Sequence, residues 1–227
     1  MNVLGLFAKY WTPGEVKTRI AAKTGPALAA RLAHRLLESV AEEFHAVADQ
    51  RWLLYSPPEK RGLFAQLPQA ASWTLSPQAS GDLGERLRDF FRAAFAAGAN
   101  RVVAIGSDCP AMSAAVCKEA FQQLKLNDAV IGPATDGGYY LIGLSQPELG
   151  VFENIAWSTS AAREQTLQRA ASAGLTCHQL QPLTDLDEVE SLPQIEAELE
   201  QVASPRADEL KAFLREEFGP WLAEAGR

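Results

Sequence analysis

Arg101-Val102-Val103-Ala104-Ile105-Gly106-Ser107-Asp108-Cys109-Pro110 is the stretch on which the fold turns. Its first half, rich in β-branched residues, predicts a buried strand. Its second half places one carboxylate among small residues at the point where that strand must end. In α/β proteins ligands bind outside the carboxyl ends of the strands. At such an end Asp108 can reach a divalent cation that bridges two phosphates. It is equally suited to capping a turn before Pro110.

Working outward, strands and helices alternate. Val3 to Ala8, Trp52 to Tyr55, Ala129 to Ile131, Tyr139 to Leu144 and a segment near Leu175 to Leu180 read as further strands. Apolar residues at helical spacing mark Pro26 to Phe44, Leu83 to Phe95, a helix N-capped by Ser113, Ala161 to Ala173, Leu192 to Val202 and Asp208 to Glu224. This alternation predicts a mostly parallel sheet covered on both faces. Tyr139 to Leu144 follows its neighbour too closely for a helical crossover, so it is expected to pair antiparallel or to join a side sheet.

Three further segments sit where chemistry is expected. The loop after the first strand, Phe7 to Arg19, holds Lys9, Lys17 and Arg19 with Gly14 and the hydroxyl of Thr18. Main-chain amides in a Gly-bearing loop, joined by cationic side chains, suit a di- or triphosphate. Neither a Walker P-loop nor a GxGxxG fingerprint is present. In Thr184-Asp185-Leu186-Asp187, alternation puts both aspartates on one side of an extended segment, where they can face one cation. Asp187 with Glu190 also matches a capping box. Asp136-Gly137-Gly138-Tyr139 permits close backbone approach to a ligand and is also ordinary hairpin chemistry. Gly81-Asp82-Leu83-Gly84-Glu85-Arg86 opens a helix whose amides, with Arg86 alongside, can receive an anion; Asp82 and Glu85 fit a capping box as well.

Composition excludes several classes. The chain of 227 residues is 47% hydrophobic and 22% charged, ordinary for a globular domain of this size. No stretch approaches the ~20 apolar residues of a membrane span. The N-terminus has neither the basic lead-in nor the cleavage site of a signal peptide. Three cysteines without CxxC spacing argue against a disulfide scaffold or a zinc ribbon, and reduced thiols point to the cytoplasm. The net charge of −7 argues against nucleic acid as a partner. That acidity is local: residues 185 to 227 hold twelve Asp/Glu against four Lys/Arg. The histidines show no metal spacing, and Cys109 beside Asp108 is a poor thiolate.

FAKYWTPGEVKTR, GDLGERL, GSDCP, GPATDGGYYLIGL, the WST turn and TDLD, in this order, resemble the glycosyltransferase-like proteins called radical-SAM/selenodomain-associated transferase 1. The likeness runs from about residue 3 to residue 192. That family is related to the guanylyltransferases of molybdenum-cofactor and phospholactate metabolism. The resemblance implies the glycosyltransferase-A, or nucleotide-diphosphosugar transferase, fold: a Rossmann-like three-layer α/β sandwich with a mixed, mostly parallel sheet. A transferase domain is expected over residues 1–204; the resemblance does not cover 205–227, which reads as an acidic C-terminal helix packed on that domain or used for dimerisation. By the same resemblance Lys9, Lys17 and Arg19 meet nucleotide phosphates, and Asp108 and Asp187 hold Mg²⁺ or Mn²⁺. Asp136, Gly137, Gly138 and Tyr139 lie near the acceptor or the transferred sugar. Trp11-Thr12 and Glu188-Val189 depart from the family pattern, which favours a proline-rich stretch and Thr-Pro there.

The expected activity is metal-dependent transfer of a sugar from a nucleotide-diphosphate donor to a small-molecule acceptor, with Asp108, Lys17 and Asp136 as the catalytic set. Nucleotidyl transfer from a nucleoside triphosphate, releasing pyrophosphate, uses the same charges and is the first alternative. A non-catalytic nucleotide-binding protein is the second.

Overall fold

The computed structural model describes residues 1–225. Its centre is a seven-stranded sheet formed by β1 (Asn2–Lys9), β2 (Gln50–Ser56), β3 (Thr74–Pro77), β4 (Arg101–Ile105), β5 (Ala129–Pro133), β6 (Tyr139–Leu144) and β7 (Cys177–Gln179). The spatial order is β3-β2-β1-β4-β6-β5-β7, with β6 antiparallel to both of its neighbours and every other pairing parallel. This is the nucleotide-diphosphosugar transferase fold with its mixed sheet. β3 was not legible, because four residues ending in Pro77 give no alternation to read. At the sheet edge that proline is tolerated, since no further strand needs its missing N–H.

Helices cover both faces: α1 (Thr18–Thr24), α2 (Pro26–Glu43), the single turn α3 (Arg61–Phe64), α4 (Leu83–Ala96), α5 (Ala114–Gln123), α6 (Ala162–Ser172), α7 (Leu192–Leu199) and α8 (Pro205–Ala225). The pleat of the strands divides the core. Leu4 and Leu6 of β1, with Val103 and Ile105 of β4, face Leu37, Val40 and Phe44 of α2 and Cys117 and Phe121 of α5. Val3, Val102 and Ala104 point the other way, onto Leu87, Phe90 and Phe91 of α4. A third cluster, outside the sheet, joins Ile20 and Leu36 to Leu192, Ile195 and Leu199 of α7 and Leu210, Leu214 and Phe218 of α8. No helix among the described residues is long and apolar enough to cross a membrane.

Several local expectations shift. Ser113 occupies the N-cap of α5 without a side-chain cap bond, and Glu43 Oε1 accepts the Ala114 amide at 2.8 Å instead. Asp187 and Glu190 form no capping box; Asp187 turns to Lys17, and Glu190 pairs with Lys23. The Asp82–Glu85 capping box is complete. Arg206 of α8 is 6% exposed. It donates to Ser39 Oγ (3.1 Å), Pro110 O (3.0 Å) and Met112 O (3.3 Å). Its Nε lies 3.3 Å from Glu43 Oε2 as an ionic contact without hydrogen-bond alignment. The last helix thereby grips the β4–α5 connection that carries Asp108.

Candidate active site

β1 pairs with β2 on one side and β4 on the other, so the chain reverses its winding direction between β1 and β4. The crevice at such a switch point is where α/β sheets bind ligands. Two of the expected segments open into it: the loop after Lys9 and the Gly106–Pro110 loop after Ile105.

Lys17 is the hinge of the first. It precedes α1 in a left-handed conformation (φ 46°, ψ 46°) that costs a non-glycine residue roughly 1–2 kcal/mol. Its side chain is 6% exposed, and its ammonium is held between Asp108 and Asp187, at 2.9 Å from Asp187 Oδ1. Burial pulls the lysine pKa down, and the charges of Asp108 and Asp187 more than reverse this, leaving it above the ordinary value. Both aspartates remain about half exposed, at 56% and 46%, so each keeps a solvent-facing side. Two more pairs bind α1 to the same acidic segment, Arg19–Glu188 at 3.3 Å and Lys23–Glu190. The Asp108 carbonyl accepts the Leu186 amide at 2.8 Å, joining the two aspartate-bearing segments through their backbones.

A cavity of about 540 Å³ opens over this floor, lined by Arg19, Asp108, Asp136, Gly138, Tyr139, Asp185, Asp187 and the Trp157–Ser160 turn. Asp136 forms its own turn, with Oδ1 accepting the Gly138 amide at 2.7 Å. Gly137 has φ +93°, and a Cβ there would stand 2.4 Å from the Ser160 carbonyl oxygen, so only glycine lets the two turns meet. The Tyr139 hydroxyl is buried without a hydrogen-bond partner among the described residues, and burial holds its pKa above the usual phenol value.

The remaining expected residues stand outside this lining. Lys9 Nζ donates to the Glu15 carbonyl at 2.8 Å, and exposed Gly14 and Thr18 sit on the same loop. Arg86 donates to Gly81 O (3.0 Å) and Gln78 Oε1 (3.1 Å), bracing the β3–α4 loop. Gln78 in turn donates to the carbonyls of Ala8 and Leu54 at the ends of β1 and β2.

Sequence reasoning set Asp185 beside Asp187 to face one cation; in the structure Asp187 is the one of the two that pairs with Lys17. Burial pushes the Asp185 carboxyl up to about 6, and the negative charge of Asp136 adds to the shift. The Asp185-x-Asp187 alternation was the available signal. Trp157 lines the cavity and packs against Gly84, where a Cβ would come 2.7 Å from the indole Nε1. Cys109 lines the cavity too, with its thiol pushed well up by burial and by Asp185 and Asp108, which is wrong for a nucleophile.

Among the described residues no three His, Cys, Asp or Glu groups converge as a metal cage. Mg²⁺ is commonly held by one or two carboxylates together with substrate phosphates. The exposed sides of Asp108 and Asp187, whose inner oxygens already grip a cationic group, fit that mode.

The model of the family described as an uncharacterized protein conserved in bacteria (DUF2064) matches residues 39–159. The chain is a DUF2064 protein. The matched span of this DUF2064 chain holds Asp108 and Asp136 but stops short of Lys17 and Asp187. A protein from Desulfovibrio desulfuricans G20, described as a candidate nucleotide-diphospho-sugar transferase, is 30% identical, with a TM-score of 0.88 over 99% of this chain and 97% of its own. Two distant structures share the fold. A nucleotidyl transferase from Methanothermobacter is 13% identical, with TM-score 0.58 over 89% and 99% of the two chains. A cytidylyltransferase from Leptospira borgpetersenii is 10% identical, with TM-score 0.56 over 96% and 95%. No curated protein matches this DUF2064 chain.

Proposed function

We propose that this protein is a metal-dependent glycosyltransferase that takes a sugar from a nucleotide-diphosphate donor and passes it to a small-molecule acceptor. The observation that carries the reading is the Lys17 ammonium fixed between Asp108 and Asp187 on the floor of an open cavity at the switch point. The relative described as a candidate nucleotide-diphospho-sugar transferase, alike over nearly the whole chain, supports it.

In this reading Asp108 and Asp187 hold Mg²⁺ or Mn²⁺, which when bound neutralises charge on the leaving diphosphate. Arg19 lines the cavity and meets the same phosphates, with Lys9, Gly14 and Thr18 contributing from the loop. Lys17 keeps the two aspartates apart and fixed, so their charges are positioned before any ligand arrives; such preorganisation is typically worth a few kcal/mol in the transition state. Asp136 receives the acceptor proton, and Gly137, Gly138 and Tyr139 shape the acceptor side. Arg86 acts through the loop it braces. The narrower likeness to radical-SAM/selenodomain-associated transferases belongs to this reading, as does a cytoplasmic location, in keeping with three free cysteines among the described residues.

Nucleotidyl transfer is the second reading, because this fold is shared with a nucleotidyl transferase and a cytidylyltransferase. The test is a thermal-shift panel of nucleoside triphosphates, diphosphates and nucleotide sugars with and without Mn²⁺, followed by product analysis. Stabilisation by one nucleotide sugar, lost in Asp108→Asn, with free nucleoside diphosphate as product, is the expected result. Pyrophosphate release would replace it with the second reading, and unchanged behaviour of Asp108→Asn would remove the metal assignment.

A further inference from the structure

The cavity is electrostatically lopsided. In the sheet order β1-β4-β6-β5, the cation-bearing loop after β1 and the Thr135–Gly138 turn between β5 and β6 stand on opposite sides of β4. The Thr184–Asp187 segment spans the gap. Leu183 pairs with Ala134, and its carbonyl accepts the Thr135 amide at 3.1 Å, which sets Asp185 toward the Asp136 end. Two residues on, Asp187 reaches Lys17. The far end of the cavity therefore carries Asp136 and Asp185, and the one cation among the lining residues is Arg19, already paired with Glu188.

Beyond the Gly138 amide on Asp136 Oδ1, backbone amides offset little of this charge. The N-terminus of α6 faces the cavity through Ser160 and Ala162, and a helix N-terminus ordinarily favours an anion. Here three of its amides are taken: Ala161 N by Thr159 Oγ1 (3.3 Å), Ala162 N by Thr159 O (3.2 Å) and Arg163 N by Gly137 O (3.2 Å). The far end instead offers the exposed hydroxyls of Ser158 and Ser160 and an aromatic wall, with Trp157 edge-on to Tyr139 at 6.3 Å. Hydroxyls, carboxylate acceptors and an aromatic face suit a polyhydroxylated ring.

Resting on the glycosyltransferase reading, we infer that the acceptor is a neutral or cationic hydroxyl-bearing molecule of the sugar or polyol class, and that phosphorylated and carboxylated acceptors are excluded by like charge. In the transfer, an acceptor oxygen forms a bond to the anomeric carbon as the bond from that carbon to the diphosphate oxygen breaks. The hydroxyl proton passes to Asp136 Oδ2, because Oδ1 is held by the Gly138 amide, and the nucleoside diphosphate leaves with the bonding pair. An anionic group at this end meets Asp136 and Asp185 with no cationic side chain among the lining residues but Arg19, which is engaged by Glu188, and juxtaposed like charges weaken its binding.

The experiment saturates the full-length protein with Mg²⁺ and the nucleoside diphosphate that stabilises it best, then titrates glucose, glucosamine and glucose 6-phosphate by saturation-transfer NMR. Glucose and glucosamine should bind at least about tenfold more tightly than glucose 6-phosphate. Asp136→Asn should narrow that gap to threefold or less; Asp185→Asn serves the same purpose if the first variant folds poorly. Glucose 6-phosphate binding as well as glucose, an unchanged gap in both variants, or silence from all three sugars would overturn the inference while leaving the donor reading intact. Failure of every nucleoside diphosphate to bind would take the donor reading with it.

Discussion

Replacing Arg206 by Met tests how the last helix supports the site. Arg206 is 6% exposed, and its guanidinium contacts Ser39, two carbonyls of the Asp108 loop and Glu43, whose own side chain is 13% exposed. Met retains the apolar stem but strands the Glu43 carboxylate and the carbonyls of Pro110 and Met112. Removing one partner of a buried pair costs about 3–5 kcal/mol. For a chain of this size each kcal/mol moves Tm by about 2–4 °C, so the midpoint should fall by roughly 6–20 °C. Adding Glu43→Gln removes the stranded charge while the amide oxygen still accepts from Ala114, and should restore at least about 1 kcal/mol. Urea unfolding at pH 7, followed by tryptophan fluorescence, measures both variants. A loss below about 1 kcal/mol in Arg206→Met, or no recovery in the double variant, would refute the clamp.

Other outcomes follow from the site and its supports. Lys17→Met should cut turnover about 100-fold through lost preorganisation. In nucleotide-free protein it should raise Mn²⁺ affinity, because Asp108 and Asp187 lose a neighbouring cation; a fall, read by isothermal calorimetry, would mean that the ammonium assembles the metal ligands. Gly137→Ala should destabilise by roughly 1–3 kcal/mol in urea unfolding, since the new Cβ meets strain and the Ser160 backbone together; a neutral result would show that the two turns separate freely. The Asp128 carboxylate accepts from Thr176 N and Oγ1, which hold its pKa below the usual value. Its stabilising contribution is therefore present above about pH 4 and lost as pH falls through the lowered pKa. Thr176→Val should shrink that acid-dependent part of stability, checked by unfolding between pH 2 and 6.

The strands with β-branched runs were readable because burial on both faces demands apolar continuity. The antiparallel β6 followed from a connection too short for a crossover. α1 was hidden: in Thr18–Thr24 only Ile20 is buried, and seven residues owe their helicity to docking on α2. The α5 cap was equally invisible, as its acceptor, Glu43, lies 71 residues away. Asp108 and the Asp185–Asp187 pair could be placed from strand ends and alternation. Lys17 reads in sequence as one of the phosphate-facing cations of its loop, and nothing local announces that it is buried between two acids. The Trp157–Ser160 turn gave no destination either, because its docking depends on space left by Gly84 and Gly137.

Lys17 and Asp187 stand 170 positions apart in the chain. On the ribosome, Lys17 emerges early and waits with Asp108 for a partner that is translated far later, and the Arg206 clamp follows later still. A nascent or prematurely terminated chain ending before residue 187 carries Lys17 and Asp108 but only half of the acidic floor. In the transferase reading, the capacity to engage a charged donor arrives late in synthesis, and a chain that lacks Asp187 is expected to lack it.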